Sequence, residues 1–188
     1  MFWSTILPFQ ITTALWAVII AVVTYFAPKF GKKRFSIALS CIGLGFLLFI
    51  PSCAIIQTIA APFRFGIFHY PNYAAINDWR VERYLPSLAA DITLEKPKHT
   101  NGFRAKFKIT KPELEGWFNE SWNRGKAYSV ISREESQDVS ASPDFSDLGW
   151  PPLTDAIQYV GPTKGNGAGY IIWYSESQGV AYEDAGYW

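Results

Sequence analysis

Cysteine is nearly absent from this chain: among 188 residues there are two, Cys41 and Cys53. Both lie in one apolar run, about 18 Å apart along a helix, too far to pair within it. The rest of the chain has none, which excludes a disulfide-stapled fold and a cysteine-built metal centre. Histidine is equally scarce, and His69 and His99 do not form a metal-ligand spacing. Charged residues make up 18%, below the roughly 25% usual in soluble domains. A net charge of +1 removes the electrostatic case for a nucleic-acid partner. Acids are missing altogether from residues 1–61, which carry Lys29, Lys32, Lys33 and Arg34 and a net +4. Residues 62–188 hold the other 13 basic residues and all 16 acids, a net −3.

What fills the first part is hydrocarbon. Residues 6–26 and 35–60 are two uncharged apolar runs, each long enough as a helix to cross the ~30 Å core of a bilayer. A domain this small cannot cover two all-round apolar helices, so residues 1–61 are expected to be a two-span transmembrane anchor. The loop between the runs carries all four charges, and short Lys/Arg-rich loops stay cytoplasmic. Lys29, Lys32, Lys33 and Arg34 are therefore the expected topology determinants. They place both chain ends outside, and the expected location is a bacterial inner membrane with a periplasmic C-terminal domain. Neither run holds an acid, a base or a histidine to mark an ion path. Stripes of small residues (Thr13, Ala17 and Ala21; Ser36 and Ser40; Cys41 and Gly45) suit close helix packing in an antiparallel hairpin. Gln10 and Gln57 are placed to bond across it, and Pro51 is expected to kink the second run.

A cleaved leader is a competing reading. Residues 1–28 lack a basic start before the apolar run, so the first run makes a poor signal peptide. Lys32-Lys33-Arg34 followed by Ile50-Pro51-Ser52-Cys53 resembles a lipoprotein signal with its lipobox. Pro51 and the continuing apolar residues Ala54, Ile55 and Ile56 speak against it.

Residues 62–188 are expected to form a small α+β domain, an antiparallel sheet of about five strands packed by one amphipathic helix. Phe63, Phe65, Phe68, Tyr70 and Tyr73 read as an aromatic exit from the membrane, with Trp3 at the start of the first run in the same role. Residues 76–90 read as short helix broken at Pro86. Ile92 and Leu94 alternate with polar neighbours, as do Phe103, Ala105, Phe107 and Ile109 with Arg104, Lys106 and Lys108, predicting a hairpin turned at Thr100-Asn101-Gly102. Thr110 and Glu113 form a capping box with Pro112 in the first turn, and Leu114, Trp117, Phe118 and Trp122 follow at helical spacing. Residues 157–160, 170–174 and 180–182 predict a three-stranded meander. Trp188 is expected to be tucked against the fold. This layout resembles small extracytoplasmic bacterial domains, a likeness that transfers no function.

No residue is assigned to catalysis, cofactor or metal. The run from Gly161 to Gly169 has Lys164 before its second glycine and a strand after it, unlike a phosphate loop, and reads as a hairpin tip. No Gly-x-Ser-x-Gly serine accompanies either histidine. Glu134-Glu135 and Glu183-Asp184 are adjacent acids, which point apart on a strand and read as solvated faces. Residues 124–155 are irregular, with Phe145, Leu148 and Trp150 as isolated anchors, and long loops often carry function. Phe145, Trp150 and Tyr128 are the expected partner contacts.

The expected function is that of a non-catalytic extracytoplasmic protein-interaction domain on a membrane anchor, an accessory subunit of an envelope complex. Its partners would be the bilayer and another membrane or envelope protein. An immunity-type protein against an envelope-targeted toxin is a variant of this reading. A saccharide-binding domain using aromatic rings around residues 143–153 is an alternative. An enzyme would require several of Asp91, Glu134, Asp138 and Glu183 to converge in one pocket.

Overall fold

The computed structural model describes residues 3–31, 33–133 and 144–187. Lys32, Glu134, Glu135, Asp138, Pro143, Trp188 and the side chain of Trp3 lie outside the described residues. The chain divides into two compact units, Met1–Phe65 and Gly66–Trp188.

The first unit is two long apolar helices. Helix α1 spans Trp3–Phe26 and α2 spans Arg34–Arg64, joined by a 3-10 turn at Ala27–Phe30. Their lengths are about 36 and 46 Å at the helical rise, and both exceed the extents read from hydropathy. Helix α2 passes through Pro51 and Pro62 and ends four residues later than expected, at Arg64. Gly31 closes the turn at φ +68°, a conformation that costs glycine nothing.

The helices meet along a line different from the small-residue stripe on α1. Pro8 and Thr12 are buried, with Trp16, Ile20 and Thr24 continuing the line half-buried, whereas Thr13, Ala17 and Ala21 are exposed. The reason is Trp16. Its ring lies over Gly45, where a Cβ would come within 3.2 Å of it, and its indole N–H donates to Ser52 Oγ at 3.3 Å. Phe9 meets Phe49 edge to face at 5.1 Å. The largest ring sets the rotation of the helix, and the glycine opposite admits it. Cys41 and Gly45 do belong to the contact line, while Ser36 and Ser40 face outward. Gln10 is exposed, so the bond across the helices is made by Trp16 and Ser52 in place of a glutamine pair. Both cysteines are free.

The second unit is a six-stranded antiparallel sheet, one strand more than expected. Its strands are β1 (Gly66–Asn72), β2 (Ala90–Lys96), β3 (Gly102–Lys108), β4 (Ala156–Val160), β5 (Gly169–Ser175) and β6 (Val180–Gly186), in the order β1-β2-β3-β6-β5-β4. The additional strand is β1, within the aromatic stretch read as a membrane exit. Phe68 and Tyr70 pair with Leu94 and Ile92 and share their face. As an edge strand, β1 tolerates Pro71, whose missing donor would break a central ladder. A short helix α3 (Trp79–Glu82) follows, with Val81 and Leu85 anchoring that segment in the core. A bulge lies between Ala90 and Thr93 of β2, where Asp91 has φ +51°, a left-handed conformation that aspartate accepts better than most residues.

Helix α4 (Lys111–Gly125) crosses between the two meanders. The expected capping box is present: the Glu113 carboxylate accepts from the Thr110 amide at 3.1 Å and from its hydroxyl at 2.7 Å. Leu114, Phe118 and Trp122 are buried, as their spacing requires. Phe118 meets Tyr159 edge to face at 5.2 Å, and the Trp122 indole donates to the Val160 carbonyl at 3.2 Å. The main core includes Ile92, Leu94, Phe103, Ala105, Phe107 and Ile172 from the sheet.

Candidate functional site

A sheet has two faces, and α4 does not bury both. Register places Tyr182 and Trp173 side by side on the face opposite Ala181, Glu183 and Ile172. Rings of that size demand their own cover. The irregular segment supplies it: Phe145 and Trp150 lie 5.5 and 5.2 Å from the Tyr182 ring, and Phe145 lies 5.8 Å from Trp173. The Tyr182 hydroxyl donates to the Pro151 carbonyl at 2.6 Å. Arg104 fastens the edge of the cluster, bonding Glu95 at 3.1 Å and Asp147 at 2.8 Å.

Phe145 and Trp150, expected as partner contacts, are thus 6% and 9% exposed and form a second small core with Leu153 and Tyr182. They looked isolated in sequence because a loop has no periodicity to show which way its rings face. Tyr182→Phe is expected to cost about 1 kcal/mol, the net worth of a buried hydrogen bond. Urea unfolding of the substituted chain measures it.

Tyr128, the third expected contact, is 46% exposed. It stands after α4, with Lys164 Nζ 5.1 Å above its ring. The backbone beside it is fixed: Val130 N–H donates to the Thr163 carbonyl at 2.8 Å, and Thr163 N–H donates to Ser129 Oγ at 3.2 Å. Lys164 belongs to the β4–β5 hairpin, where its amide donates to the Ala168 carbonyl at 2.8 Å. This is the tip expected for residues 161–169. A cavity of about 260 Å³ opens nearby, lined by Trp122, Asn123, Lys126, Ile131, Ser132 and Arg133. Tyr128, the exposed Val130 and the cations Lys126 and Lys164 make an aromatic, basic rim.

The acids divide by environment. Asp91 is exposed and bonded to Lys108 at 2.8 Å, an interaction that holds its carboxyl below the ordinary value. Glu183 and Asp184 point to opposite faces of β6, as adjacent strand residues must. Glu183 is not on a solvated face, however. It is 0% exposed, opposite Ala105 on β3 and Ile172 on β5, with Ala181 and Ala185 on its own strand. Three alanines leave the room that the glutamate side chain fills. Neither of its carboxyl oxygens has a hydrogen-bond partner. Burial pushes this carboxyl well above its ordinary value, and Asp184 adds to the shift. The nearby Tyr170 hydroxyl donates to Ser121 Oγ at 2.7 Å instead. The sequence signal for this position was available: Glu183 interrupts the apolar alternation of Ala181 and Ala185.

Exposed Asp91 and buried Glu183 do not meet in one pocket, and Glu134 and Asp138 are outside the described residues. Among the described residues no three His, Cys, Asp or Glu side chains converge. His69 Nδ1 lies 3.1 Å from Thr93 Oγ1, while His99 is exposed between β2 and β3. No family model, curated protein or solved structure matches the chain.

Proposed function

We propose that the chain is a two-span membrane protein that presents residues 66–188 on the extracytoplasmic side as a non-catalytic module for binding another envelope protein. The observation that carries this reading is the outer surface of α1 and α2. Phe46 and Ile50 are 87% and 79% exposed, and Leu15, Val18, Leu47, Ile55 and Ile59 stand exposed with them. Residues Ile6–Phe30 and Arg34–Arg64 are long and apolar enough to cross a bilayer. In water, so large an apolar surface would drive association; in lipid it is solvated. Lys29, Lys33 and Arg34 are exposed at the turn between the helices, which supports a cytoplasmic turn and extracytoplasmic ends.

The Tyr128 rim supports a protein partner over a saccharide. Phe145 and Trp150, on which a sugar face would stack, are covered by Tyr182 and Trp173. Tyr128 with Lys126 and Lys164 suits an acidic protein surface with one apolar group. Extraction from membranes tests the proposal. The expected result is solubility in mild detergent alone, with a co-purifying protein that Tyr128→Ala and Lys164→Glu both release. A chain monodisperse in plain buffer overturns the membrane reading, and a solitary chain in gentle detergent overturns the accessory role.

A further inference from the structure

We propose that Glu183 is a pH-sensitive latch: the C-terminal unit is tightest while the buried carboxyl carries its proton, and loss of that proton loosens α4 from the sheet. The argument rests first on placement. Glu183 sits on the central strand β6, flanked by β3 and β5, on the face that α4 covers. Both oxygens are out of contact with water and neither has a donor. A neutral acid in such a place costs its unmade hydrogen bonds, whereas an ionised one also costs the solvation of a full charge.

The groups around it provide no compensation for that charge. From β3 come Phe103, Ala105 and Phe107, and from β4 and β5 come Ile172 and the phenols of Tyr159, Tyr170 and Tyr174. Helix α4 turns Leu114, Phe118 and Trp122 inward, with the half-buried Trp117 and Ser121 beside them. Of its charged residues, Glu115, Glu120 and Arg124 are exposed, and the half-buried Lys111 and Glu113 are engaged by Glu176 and Thr110. The segment before β2 contributes Tyr84, and the residues after β6 contribute Tyr187. These phenols are held neutral by burial. No cation among the described residues acts on the carboxyl, and the one charge that does, Asp184, is of the same sign.

The direction follows from the two states. Below the ordinary carboxyl value of 4.5, Glu183 is protonated whether the unit is folded or not. Above it the unfolded chain releases the proton while the folded unit keeps it, so stability falls as pH rises. The fall ends at the raised value of the folded state, beyond which both states are ionised and stability stays at its lower level. Within that window the folding constant drops by up to tenfold per pH unit.

The test is urea unfolding of the C-terminal unit in the full chain, held in mild detergent, from pH 4 to 9, beside Glu183→Gln. The amide keeps the shape and cannot ionise. The expected result is a folding constant that declines with pH in the unsubstituted chain and stays at least tenfold higher at pH 8 in E183Q. Parallel pH curves for the two chains overturn the proposal. A second readout covers an E183Q chain that does not fold. Amide exchange across α4 in the unsubstituted chain, corrected for intrinsic rate, is compared between pH 5 and pH 8. Weaker protection of α4 at pH 8 supports the latch, and equal protection overturns it.

Discussion

Phe118→Ala lowers the stability of the C-terminal unit by about 3–5 kcal/mol, the usual cost of deleting a fully buried phenyl ring. Phe118 is 1% exposed, lies between Leu114 and Trp122 on the inner face of α4, and meets the Tyr159 ring. The cavity left by alanine cannot collapse easily, because rigid rings of the helix and sheet surround it. Small domains are worth about 5–15 kcal/mol in all, so the loss is a fifth or more of the total. Phe118→Leu keeps most of the volume and is expected to lose less than half as much. Urea unfolding of both chains measures the pair. A loss below 1 kcal/mol for alanine would mean that α4 is not the lid of this core.

On the proposed topology, neutralising the turn between α1 and α2 is expected to invert the chain across the bilayer. Lys29, Lys32, Lys33 and Arg34 are the whole charge of residues 1–61. The next basic residue is Arg64, in the last turn of α2. With serine at the four turn positions, the positive charge flanking the helices lies at Arg64 alone, and the cytoplasmic preference of Lys and Arg passes to the other end of α2. A cysteine placed at Gln178, exposed in the β5–β6 turn, reports the outcome through an impermeant thiol reagent. In intact cells it reacts in the unsubstituted background and becomes protected in the neutralised chain. Reaction in both would show that the charges do not set the orientation, and protection in both would overturn the extracytoplasmic placement.

Much of this fold could be read before any coordinates because several segments obey one strong period. Phe103, Ala105 and Phe107 alternate with cations, so β3 has one reading. Thr110 and Glu113 mark the start of α4, and its four apolar positions fix its inner face. Strand β1 escaped because Gly66 and Pro71 interrupt it, and because Phe68 and Tyr70 suit a membrane interface as well as a sheet face. The α1 stripe misled for a different reason: spacing of four defines several parallel lines on a helix, and only the match of Trp16 to Gly45 selects one. Phe145 and Trp150 gave no direction until the far face of Tyr182 was in place. Glu183 was masked by Asp184, since two neighbouring acids resemble a solvated surface.

The strand order has a bearing on how the polypeptide is made. Strands β1 to β3 emerge from the ribosome first, yet the neighbour of β3 is β6, the last strand of all. Through the synthesis of almost eighty residues, the β3 edge stands open with Phe103, Ala105 and Phe107 beside it. An unpaired edge of that kind recruits other chains, and charge along the strand is the usual deterrent. Arg104, Lys106 and Lys108 lie on that strand. Arg104 and Lys108 pair with Glu95 and Asp91 of β2, so the charge that opposes a second nascent copy at β3 before β6 arrives is chiefly that of Lys106.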